Sequence, residues 1–108
     1  MSKINHAIHL REAKELISDP KKWTQLAAAR DDRGERCPIK SDRAVAFCAY
    51  GACERVGDVH AVIHFLDRAA LNLYDRANAV ALNDSQFTTH ELVMQMFDMA
   101  IAEAEALA

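Results

Sequence analysis

Three groups of side chains in this 108-residue chain have types and spacing suited to chemistry. Cys48 is a nucleophile if a histidine takes its proton. With His90 as base and Asn83 or Asp84 orienting the imidazole, the set would serve a small hydrolase or transferase. A reactive thiol needs its pKa lowered by a helix N-terminus or a nearby cation, and a free cysteine is more often simply buried. His60, His64 and Asp67 recur at i, i+4 and i+7, which on a continuous helix aligns three ligands for a metal with one position open. The zincin pattern needs glutamate after the first histidine, and Ala61 stands there, so no metalloprotease base is supplied. A solvated polar face accounts for the same three residues. His6 and His9 would join the histidine pair only if the two pairs faced each other. Asn83, Asp84, Thr88, Thr89 and His90 crowd polar groups around a helix start, where they can bind an anion or cap the helix. Trp23, the lone tryptophan, and Arg30 are the candidate binding residues; a tryptophan plugs a core edge or anchors an interface. Glycine-rich phosphate loop, paired-cysteine zinc motif and Gly-x-Ser-x-Gly elbow are all missing from the sequence, so no cofactor is expected.

The elements that must position these residues are read from apolar spacing. A first helix over Ile4 to Ser18 would bury His6, Leu10, Ala13 and Ile17, with His9 and Leu16 beside them. Asp19 and Pro20 are an N-cap and first-turn signal for a short helical turn. Residues 25–37 either continue that helix to Arg30 or form two short strands about the Asp31 to Gly34 turn. Ala44 to Val56 is apolar or small around nearly its whole circumference, which predicts a buried central helix, capped by Ser41 or Asp42 and ended by a left-handed Gly57. Cys48 would then lie about two turns in, where the helix dipole no longer acts on a thiol. Ala44, Cys48, Gly51 and Ala52 would form a small-residue stripe against a neighbouring helix. Asp58 caps a helix over Val59 to Tyr74 that buries Val62, Leu66, Ala69 and Leu73. One or two helical turns end at Asn83 and Asp84. In the last helix Thr88 and Glu91 make a capping box, and Val93, Phe97, Ala100, Ile101 and Ala104 a buried stripe.

Composition narrows the function classes. Apolar residues make up 51% of the chain against only three glycines and two prolines, which favours helices within one domain, 1–108. No window approaches the roughly 18 apolar residues of a membrane span, and the opening residues alternate charge with apolar side chains, so no membrane association and a cytoplasmic location are expected. Cys48 and Cys53, five apart on one helix, cannot pair without unwinding it, and reduced thiols are expected. The net charge is −3, yet residues 21–43 carry seven Lys or Arg against four Asp or Glu, while residues 87–108 carry four acids and no Lys or Arg. That polarity suits a protein partner or a homo-oligomer and falls short of a nucleic-acid surface.

Five pieces in order resemble an uncharacterised domain-of-unknown-function family of bacterial and phage proteins: D-P-x-x-W-T from Asp19, A-R-D-x-x-G from Ala29, F-C-A-x-G-A from Phe47, L-N-D from Leu82, and T-T-H-x-x-V-x-x-x-F-D-x-A-I from Thr88. The resemblance carries no activity. It implies that Trp23, Arg30, Cys48, Gly51, Asn83, Asp84 and His90 converge in space, and it tilts residues 25–37 toward a short hairpin. The expected fold is therefore mainly α, a bundle of four to five helices around a central buried helix. The expected function is a non-enzymatic interaction or regulatory module, with the Cys48–His90 enzyme and the His60–His64 metal site as alternatives.

Overall fold

Apolar side chains at helical spacing build most of the architecture seen in the computed structural model, which describes residues 4–107. Helix α1 (Ile4–Leu16) buries Ala7, Leu10 and Ala13, with Ile17 just beyond its end. The stripe begins at Ala7 rather than His6, which is only half-buried. Asp19 caps a 3₁₀ turn over Pro20–Lys22, its carboxylate accepting the Lys21 N–H at 2.9 Å. Two short strands follow, β1 (Ala29–Arg30) and β2 (Ala46–Phe47), then α2 (Ala49–Val56), α3 (Ile63–Tyr74), α4 (Ala79–Asp84) and α5 (His90–Ala106). Helix α5 packs along α1 and α3, α1 also packs on α2, and α4 touches both α3 and α2. Leu10, Ile17, Leu66, Leu82, Met96 and Phe97 are fully enclosed at the centre, each contributing about 1.5–3 kcal/mol of burial. The protein is a mainly α bundle with a short antiparallel strand pair.

The central segment differs most from its sequence reading. Residues 44–48 are not helical. Ala46 and Phe47 pair antiparallel with Arg30 and Ala29, and the Thr24 N–H donates to the Phe47 carbonyl from the other side. Cys48, not Ser41 or Asp42, caps α2: its sulfur accepts the Gly51 N–H at 3.3 Å. Small and apolar side chains fit a buried strand as well as a buried helix, and here the non-local backbone bonds decide. Residues 25–37 take the strand alternative rather than the helical one, with an Arg30–Arg36 bridge closing the turn and β2, at residues 46–47, completing the strand pair.

Gly51 permits the close approach anticipated for it, but to an extended chain and not to a helix. A Cβ there would lie 1.9 Å from the Ala28 carbonyl oxygen. Gly57 is extended at φ 180°, not left-handed, and its missing side chain makes room for the His9 ring. The His9 imidazole uses that room to donate to the Cys53 carbonyl at 2.8 Å, satisfying an open acceptor at the end of α2.

Two smaller shifts follow from caps. Asp58 starts a 3₁₀ turn (Val59–Ala61), and Val62 at ψ −11° separates it from α3, so Val59 to Tyr74 is not one continuous helix. Thr89 rather than Thr88 caps α5, while the Thr88 hydroxyl turns inward to the Leu82 carbonyl at 2.6 Å.

Replacing Gly51 by alanine drives a methyl group into backbone that cannot rotate away, and a loss of about 2–3 kcal/mol is expected. Chemical denaturation of G51A should show the drop. Gly34→Ala, whose site has open space around it, serves as a control limited to the strain of its φ of +78°.

Candidate functional site

The last turn of α4 faces the loop that follows the first 3₁₀ turn, and Asn83 joins the two. Its carboxamide is fully buried. The oxygen accepts the Trp23 indole N–H at 2.8 Å and the Ala49 backbone N–H at 3.0 Å. The nitrogen donates to the Thr24 carbonyl at 3.1 Å and to the Asp84 carboxylate at 2.9 Å. Two lone pairs and two N–H groups are all that a carboxamide has, so every one is used. Asn83 thereby ties α4 to the start of α2 and to the 23–24 segment.

Around it the loop is held rigidly. Gln25 donates to the carbonyls of Asn83 and Ser85 at 2.8 and 2.9 Å. The Leu26 N–H donates to Asp84 Oδ1 at 2.9 Å, and the Arg36 guanidinium donates to the Leu26 carbonyl at 2.8 Å. Leu26 itself is at φ +66°, a region a leucine enters at a cost of order 1 kcal/mol. Arg30 braces the turn with Nε on the Thr24 hydroxyl and its two terminal nitrogens on the carbonyls of Gly34 and Gln25.

The residues grouped by the family resemblance are thus linked. Trp23 and Asp84 each hydrogen-bond Asn83, Arg30 joins through Thr24, and Cys48 precedes Ala49, whose N–H is bonded to Asn83, and accepts the Gly51 N–H at its sulfur. His90 meets the edge of the Trp23 ring, centroids 5.8 Å apart.

The catalytic arrangement read from sequence is not assembled through hydrogen bonds. Among the described residues none joins Cys48 to His90. The imidazole Nε2 donates instead to the Ile17 carbonyl at 2.7 Å, beyond the end of α1, and Asn83 is wholly engaged elsewhere. Cys48 does stand at a helix N-terminus, where N–H groups favour the thiolate. Burial outweighs them: desolvation, with a smaller push from the Asp84 charge, holds the thiol above its ordinary range despite the Gly51 and Tyr50 N–H groups. Burial pushes Cys53 up to about 12, with Cys48 adding to it. Cys37, Cys48 and Cys53 are all free.

His60 belongs to the 3₁₀ turn and His64 to α3, so the break at Val62 removes the helical register that would align them. Asp67 accepts the Ala79 N–H at 2.8 Å and so fixes the start of α4. Among the described residues no three His, Cys, Asp or Glu side chains are grouped to hold a metal ion. Sequence reasoning missed Thr24, Gln25, Leu26, Arg36 and Ser85. Thr24 lies within the D-P-x-x-W-T piece, but a leucine at positive φ leaves no mark in sequence.

A family model described as "Family of unknown function (DUF6197)" matches residues 1–103. The chain belongs to that family. No curated protein and no solved structure matches it. In this DUF6197 chain Trp23, Gln25, Asn83 and Asp84 have a physical role, the locking of loop 23–26 onto α4.

Asn83→Ala in the DUF6197 chain strands the Trp23 and Ala49 donors, and a loss of about 2–4 kcal/mol is expected in denaturant titrations. Asn83→Asp keeps the shape but sets a second carboxylate against Asp84. Its deficit should shrink on acidification, because a carboxylate pair binds a proton more tightly folded than unfolded. The thiols give the alkaline counterpart. A proton held to about 12 in the fold and 9.0 in the free side chain supplies stability that is complete below pH 9.0 and lost as pH rises toward 12. Cys53→Ala should flatten that decline relative to wild type in pH-dependent thermal melts.

Proposed function

We propose that this chain is a small cytoplasmic, non-enzymatic interaction or regulatory module that presents a fixed loop surface to a protein partner or to a second copy of itself. The observation that carries the reading is the fate of the candidate chemical groups. The Cys48 thiol is 6% exposed with a raised pKa, the His90 Nε2 is spent on a carbonyl, and the Asn83 carboxamide has no valence left over. Catalysis needs groups free to change partners, whereas these maintain backbone geometry. Free thiols at all three cysteines suit a reducing compartment.

One observation favours the competing cysteine-enzyme reading, the placement of Cys48 at the N-cap of α2. Alkylation kinetics separate the two. The module reading expects iodoacetamide to label half-buried Cys37 first and Cys48 and Cys53 only on unfolding. Crosslinking pull-down from native cells, read beside the solution mass of the tagged protein, should give a specific partner or a stable self-assembly. A monomer that captures nothing and whose Cys48 reacts ahead of Cys37 would overturn the proposal.

A further inference from the structure

We propose that Leu26 and Phe87 form the docking face for a short acidic peptide segment carrying apolar side chains, an inference that rests on the interaction-module reading and names its surface. Among the described residues these are the two most exposed large hydrophobic side chains, at 62% and 72%. They are far apart in sequence but fastened to one place: the Leu26 N–H donates to Asp84, the Phe87 N–H to the Ser85 hydroxyl at 3.3 Å, and Gln25 bridges the carbonyls of Asn83 and Ser85. An exposed leucine held at positive φ by hydrogen bonds on both sides is a pre-organised contact, so a partner loses less entropy in ordering it.

Charge selects the occupant. The Arg36 guanidinium sits on the Leu26 carbonyl, and Arg76 reaches the Ser85 hydroxyl at 3.3 Å while its buried Nε has no hydrogen-bond partner among the described residues. Both cations meet neutral acceptors; the ion pairs among the described residues join Arg11 to Glu105, Lys14 to Asp98 and Arg68 to Glu103. The segment around Leu26 also carries the basic excess of residues 21–43. A carboxylate-bearing peptide with leucine or aromatic side chains complements both features. A second copy fits less well, because Asp98, Glu103 and Glu105, three of the four acids of α5, are already paired with α1 and α3 of their own chain.

The test pans a phage-displayed library of random peptides of about twelve residues against the full chain. Enriched sequences should be net acidic and contain leucine or an aromatic residue, and their synthetic versions should bind with roughly micromolar affinity that weakens with salt. Leu26→Gly is the decisive variant, since glycine accepts φ +66° without strain and the melting temperature should hold at or above wild type. Binding by L26G, and separately by F87S, should weaken about tenfold. Failure to enrich any peptide over bare matrix, enrichment of neutral or basic sequences, or undiminished binding by folded L26G would each overturn the proposal. Leu26-dependent binding to phosphatidylserine vesicles would overturn it in favour of a membrane surface. A cellular partner or self-assembly retained by L26G and F87S would leave the module reading intact and remove only this surface.

Discussion

The four hydrogen bonds of the Asn83 carboxamide are the constraint on which the site depends. They join three stretches far apart in sequence, the 23–24 segment, the start of α2 and the end of α4, through a side chain that is itself wholly buried. A buried amide with one bond missing would cost about 1–3 kcal/mol, so the three stretches are held in one mutual arrangement or the group is left unpaired. That arrangement sets where β2 ends, hence where Cys48 must cap α2, and it delivers Asp84 to the Leu26 N–H. The positive φ at Leu26 is a downstream consequence: its cost is offset by two backbone hydrogen bonds supplied by Asp84 and Arg36.

The acidic character of α5 reads differently in three dimensions. Asp98, Glu103 and Glu105 are answered by Lys14, Arg68 and Arg11 across the two helices that flank α5. Half-exposed pairs of this kind contribute little to stability, roughly 0–1 kcal/mol each. Their larger effect is on the distribution of charge. Pairing neutralises much of the acidic end within the molecule, whereas Arg30 and Arg36 of the basic segment are used on carbonyls and a hydroxyl, which leave their charge uncancelled. The polarity visible in the sequence is therefore reduced in the fold at its acidic pole.

What the sequence made legible was whatever depends on neighbours three or four residues away. The stripes Leu10–Ala13 in α1, Leu66–Ala69 in α3 and Val93–Phe97–Ala100 in α5 are all buried where spacing put them, and the Asp19–Pro20 start is as read. Ala44 to Phe47 was illegible for a physical reason: small apolar residues carry no period when every face is covered, and the bonds that make β2 a strand come from Thr24, Ala28 and Arg30. The same limit hid the site. Asn83 read as a cap because asparagine at a helix end is usually one, while its partners Trp23 and Ala49 lie 60 and 34 residues away. The motif resemblance did group Trp23, Arg30, Asn83 and Asp84, which a single chain's spacing cannot.

At Cys48 two opposing effects on the thiol meet. At an N-cap the thiol gains from the Gly51 N–H and from the positive end of α2, effects worth about 0.3–1 kcal/mol at an exposed terminus. Enclosing a thiolate costs more than that, and the nearby Asp84 carboxylate adds repulsion. Asp84 cannot be moved away without freeing Leu26 and one donor of Asn83. Burial remains the main reason the thiol holds its proton, and the carboxylate that fixes the loop adds a smaller opposition to its ionisation.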